Sequence, residues 1–239
     1  MTCLQQNRPE MRVMMKKERY IDMMEQVVGA YSKAHIEKYV SQVRAEGLKE
    51  HGFPRLTADI GILLAHGRRT DLRETFAEMM DLCCEQIPVA LKERKGVGNE
   101  FSVKEIVPCL LALEESRVFP EAKTQYWREL LKRIDPCTCY EVIAKKPPER
   151  IGNWAAFAAA SEQARKYAGL GCEDDFIDNQ IASQLLSFDE NGMYRDPNEP
   201  MVYEYYHPSA AFHFSVLRLL RGAQRKTGRA SGSGRQKGA

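Results

Sequence analysis

The chain has no run of about eighteen apolar residues, the length that a membrane-crossing helix needs. Its opening stretch, Met1 to Pro9, lacks the apolar core of a secretory leader. Among seven cysteines there is no Cys-x-x-Cys pair; Cys83 and Cys84 are adjacent and Cys137 and Cys139 stand two apart, neither being the spacing of a structural zinc site. The five histidines include no His-x-x-x-His or His-Glu-x-x-His pattern, so no metal or other cofactor is expected. The glycine-rich Lys95–Glu100 stretch lacks a following Gly-Lys-Ser/Thr and reads as a connector rather than a phosphate cradle. No nucleophile elbow and no Ser-His-Asp arrangement is legible. These absences point to a cofactor-free protein of the cytoplasm, with mostly buried, free thiols.

Acidic residues are missing only from the end of the chain. From Arg221 onward there are basic residues at 221, 225, 226, 229, 235 and 237 and no Asp or Glu. Removing these six from the 35 basic residues leaves 29 against 33 acidic, a net of −4 for residues 1–220. Basic charge confined to a Gly/Ser-rich tail is not the footprint of a folded nucleic-acid-binding face, so neither nucleic acid nor membrane is expected as a partner. Residues 1–15 are expected to be flexible, 16–220 to form the folded domain and 221–239 to be disordered.

What is present is helical periodicity. Residues 17–46 carry apolar positions at helical spacing, with Gly29 marking a break and Gly47 a stop. Helix–turn–helix units then recur about every fifty residues, a period expected of stacked hairpins. Their first helices start near Pro54, Ser102 and Asn153, and their second helices near Asp71, Glu121 and Asp174. Gly67 and Gly169 sit where C-terminal caps belong. Ser102 with Glu105 matches a capping box, and Pro120 suits a helix start. The helix from Trp154 is alanine-rich, which permits the close backbone approach of a crowded inner layer. Asn191-Gly192 reads as a tight turn inside a short β-hairpin-like loop over 188–196. The predicted class is all-α.

The hairpin period, the Asn153-Trp154 helix start and the loop Asp189-Glu-Asn-Gly-Met-Tyr-Arg-Asp-Pro197 together resemble the (α/α) toroids of carbohydrate-active proteins, the six-hairpin glycosidases and the helical domains of heparinase- and alginate-lyase-like proteins. The resemblance spans residues 54–207 and implies an incomplete toroid of stacked αα-hairpins, with an oligosaccharide held by the loops at one end. A whole ring at this period needs more than 239 residues, so a truncated and inactive member is one expectation. Homo-oligomerisation through an open inner face is another.

A hydrolase needs two carboxyl groups about a glycosidic bond. Candidates lie at Asp189, Glu190, Asp196, Glu199 and Glu204. A lyase needs a charge neutraliser and a Tyr or His to move protons. Asn153, Tyr194, Tyr203, Tyr205, Tyr206 and His207 supply those types. The expected catalytic groups are Asp196, Tyr203 and His207, and the expected sugar contacts are Asn153, Trp154, Tyr194 and Arg195. Each has a plainer reading: Asn153 as a helix cap, Trp154 as core, Asp196 as a turn residue before proline, and the Tyr/His group as a packed corner. The competing function is a non-catalytic helical repeat that presents a concave surface to another protein.

Overall fold

The computed structural model describes residues 9–93, 99–135, 154–171, 174–190 and 194. Eight α-helices are found among them: α1 Pro9–Gly29, α2 Lys33–Glu46, α3 Gly52–Ala65, α4 Arg73–Glu93, α5 Val103–Ser116, α6 Glu121–Leu131, α7 Trp154–Tyr167 and α8 Asp174–Leu185. Short 3-10 turns at Thr70–Leu72 and Asn99–Phe101 lead into α4 and α5. The described residues contain no strand; an isolated antiparallel bridge pairs Phe188 with Tyr194 inside the loop read as hairpin-like. Helix α1 starts at Pro9, so residues 9–15 are helical where a flexible segment was expected; proline is well suited to a first helical turn, whose N–H has no intrahelical partner. No helix among the described residues is long and apolar enough to cross a membrane.

Local chemistry sets the helix ends. Ser32 caps α2, its Oγ accepting from the His35 N–H at 3.2 Å. α3 ends in a Schellman turn: Gly67 has φ +72°, its N–H donates to Leu64 O, and the Arg68 N–H donates to Leu63 O at 2.8 Å. α7 ends the same way at Gly169, φ +69°, with the Leu170 N–H on Arg165 O at 2.9 Å. The capping box at Ser102 is not formed. Ser102 is helical in backbone and its hydroxyl makes no cap hydrogen bond, and the Glu105 carboxylate is instead engaged by Arg55 of α3 and by its own neighbour Lys104.

The helices pack in alternation. α1 lies on α3, α3 on α5 and α5 on α7, while α2 lies on α4 and α4 on α6. Each of the pairs α3–α4, α5–α6 and α7–α8 also packs internally. The odd helices thus form one layer and α2, α4 and α6 a second, with α8 packed on α7, as stacked hairpins require. The tightest seam joins α3 to α5, where Gly61 lets Cys109 and the Phe76 ring approach the α3 backbone. The outer seam between α4 and α6 holds Phe76, Phe119 and Trp127 in mutual ring contact at 5.3–6.1 Å. The indole N–H of Trp127 donates to Asp81 at 2.7 Å, satisfying the one polar atom of a fully buried ring.

Alanines 155, 156, 158, 159, 160 and 164 of α7 are all buried, in keeping with the close packing expected of this helix. Cys83, Cys84 and Cys109 are free and buried. Burial pushes all three thiols up, Cys83 to about 12, which leaves them protonated and unreactive at neutral pH.

Candidate functional site

Because each hairpin turns back on itself, the first turns of α3, α5 and α7 emerge at the end of the stack where one hairpin hands over to the next. That end carries a contiguous group of side chains. Phe101, in the turn before α5, meets His51 before α3 at 5.5 Å, and meets Trp154 and Phe157 of α7 at 5.5 and 4.2 Å. Lys104 Nζ lies over the Phe157 ring at 5.2 Å and donates to Glu105 Oε1 at 3.0 Å. Arg55 Nε of α3 reaches the same oxygen at 3.2 Å. Glu105 Oε2 is buried and accepts no hydrogen bond among the described residues.

Asp59 sits one turn beyond Arg55 on α3, half-buried and electrostatically coupled to Glu105. Burial, reinforced by the Glu105 charge and opposed by Arg55, raises its carboxyl to about 6. The site therefore pairs a carboxyl that keeps its proton into the mildly acidic range with a carboxylate held by two cations. Such a division between two acids separates proton donor from anion.

The sign of the Asp59 shift fixes a stability prediction. The folded form holds this proton more tightly than the unfolded chain, whose aspartate titrates near 3.8. Its contribution is complete below that value and is lost as pH rises through about 6. Asp59→Asn is expected to flatten the decline in urea midpoint between pH 4 and 7 and to raise the midpoint at pH 7. An unchanged slope in the variant would remove Asp59 as its source.

Of the residues singled out from sequence, Trp154 lies in this group, 42% exposed, with part of its indole open to solvent. Tyr194 does not present a ligand surface: it is fully buried and its ring packs on Phe188 at 5.6 Å, so this position is a core contact rather than a sugar platform. Asp189 is half-buried and Glu190 exposed in the same loop. Asn153, Arg195, Asp196, Glu199, Tyr203, Glu204, Tyr205, Tyr206 and His207 lie outside the described residues. Among the described residues no group of His, Cys, Asp and Glu is arranged to hold a metal ion.

Asp59 and Glu105 were not among the sequence candidates. One signal existed: Asp59 is the only acidic residue in an otherwise nearly all-apolar helix, a place where a carboxyl is costly unless used or partnered. No protein-family model, curated protein or solved structure matches this chain.

Proposed function

We propose that the chain is a glycan-processing protein of the (α/α)-toroid type, whose two helix layers curve around a shared hollow. In this reading an oligosaccharide, with uronate units among its candidates, lies across the hairpin-handover end. The exposed indole of Trp154 packs on a sugar face. Asp59 protonates the leaving oxygen, and Glu105, held by Arg55 and Lys104, acts as the second carboxylate of a glycoside hydrolase. Polysaccharide lyase chemistry is the alternative, with Arg55 or Lys104 neutralising a uronate and Tyr203 or His207 moving the proton. The observation that carries the hydrolase reading is the coupling of a proton-retaining Asp59 to Glu105 beside an open tryptophan.

The test is turnover of a panel of neutral and uronate oligosaccharides, read in parallel as new reducing ends and as the ultraviolet absorbance of an unsaturated uronate. Reducing ends without that absorbance identify a hydrolase. Asp59→Asn and Glu105→Gln are then expected to lower kcat/KM by about 10²–10⁴-fold, the range of a lost general acid or base. Trp154→Ala is expected to act mainly on KM. Full activity in both carboxyl variants, or no product from any glycan, contradicts the reading.

A further inference from the structure

A polar hollow lies beside the start of α3, on its α2 side. Helix α2 packs on α4, and a groove of about 510 Å³ opens between α2 and the start of α3. It is walled by Tyr31, His35, Tyr39, Gln42 and Glu50, with Gly52 on its floor. A neighbouring hollow of about 330 Å³ along residues 46–49 shares Tyr39, Gln42 and Glu50, so the two adjoin as a trough lined in common by these three side chains.

We infer that this trough binds a neutral oligosaccharide segment, on walls distinct from the residues of the Asp59–Glu105 group.

The walls have the chemistry of sugar recognition. Tyr31 is 37% exposed and meets the His35 ring edge-on at 5.6 Å, giving aromatic surface for the C–H face of a pyranose. Tyr39 is fixed edge-on against Phe53 at 5.1 Å, and its hydroxyl donates to Glu50 Oε1 at 3.0 Å. That bond orients the Glu50 carboxylate and leaves Oε2 to accept from a ligand hydroxyl. Burial and the Glu50 hydrogen bond raise the Tyr39 phenol to about 12, so it remains a donor at every physiological pH.

Gly52 leaves space beside this pair. A Cβ there would lie 3.0 Å from Glu50 Oε1 and 3.4 Å from the Tyr39 hydroxyl, crowding the pair. Gln42 adds an amide able both to donate and to accept, the pattern that vicinal hydroxyls need. Charge selects the class. Lys38 and Glu50 give the groove lining one charge of each sign, and Lys49 is paired with Glu46 at 2.6 Å in the adjoining hollow. A uronate carboxylate gains no net cation here and meets Glu50.

The trough shares no lining residue with the Asp59–Glu105 group, so side-chain substitutions separate the two. Neutral gluco-, xylo- and manno-configured hexasaccharides and an oligogalacturonate are titrated calorimetrically into the full chain and into Tyr31→Ala, Glu50→Gln and Trp154→Ala. At least one neutral hexasaccharide is expected to bind, at least tenfold more weakly in Tyr31→Ala and Glu50→Gln, and to retain this binding in Trp154→Ala. Neutral binding lost only in Trp154→Ala overturns the inference while leaving the glycan-processing reading intact. Preference of the trough for the oligogalacturonate, or no binding by any hexasaccharide, also overturns it.

Discussion

Gly61→Ala is expected to destabilise the protein by about 1–3 kcal/mol, the cost typical of forcing extra volume into a packed core. Helix propensity alone predicts the opposite, since alanine in a helix interior is favoured over glycine by about 1 kcal/mol. Packing decides the sign. A Cβ on Gly61 would stand 2.3 Å from Cys109 Sγ and 2.8 and 2.9 Å from two atoms of the Phe76 ring. Those neighbours belong to α5 and α4, so the clash falls where the two layers meet. Neither has room to withdraw, because Phe76 and Cys109 are both fully buried. Removing the sulfur in Cys109→Ala is expected to recover part of the loss in the double variant. A urea-unfolding cycle over the four proteins gives the coupling directly. A Gly61→Ala variant more stable than the parent would mean that α3 and α5 do not approach as described.

Arg165→Ala is expected to cost more, about 3–5 kcal/mol, the usual penalty for removing one partner from a buried ion pair. Arg165 is 2% exposed and Glu162, one turn earlier on α7, is fully buried. Arg165 Nη1 donates to Glu162 Oε2 at 2.7 Å. Its Nη2 donates to Ile134 O at 2.6 Å, beyond the end of α6, and to Leu170 O at 3.1 Å, just after the Gly169 cap. One guanidinium thereby ties α7 to the preceding hairpin and to its own terminus. Lysine lacks the planar fork for three such acceptors, so Arg165→Lys is expected to recover little. Replacing both members, Glu162→Leu with Arg165→Met, is expected to lose far less than Arg165→Ala alone, because no charge is then stranded. Equal losses in the single and double variants would contradict this account of the pair.

Much of the scaffold was legible along the sequence because its signals are local. Gly67 and Gly169 demand positive φ and end their helices, Pro120 precedes α6, and the fifty-residue period anticipates the alternation of two layers. The site was far less legible, for a physical reason. Asp59 and Glu105 become neighbours only because α3 and α5 pack, and nothing in the spacing of two residues on different hairpins announces it. Glu105 even carried a misleading local signal. Three residues after Ser102 it has the position of a capping-box acid, but the cations Arg55 and Lys104 compete more strongly for its carboxylate than a backbone N–H does. Tyr194 illustrates the reverse error: an aromatic in a polar loop reads as an exposed contact, while the Phe188–Tyr194 bridge folds it inward.

The proposal that sugar is held at the handover end of the hairpins has one direct optical test. The chain has two tryptophans, of which Trp127 is sealed in the core and Trp154 is 42% exposed. Acrylamide quenching of tryptophan emission therefore reports chiefly on Trp154. A saturating oligosaccharide substrate is expected to lower the quenching constant toward that of a fully protected indole, and to leave it unchanged in Trp154→Phe. Quenching that no neutral or uronate oligosaccharide alters, in a protein shown by calorimetry to bind one of them, would place the sugar elsewhere and contradict the account.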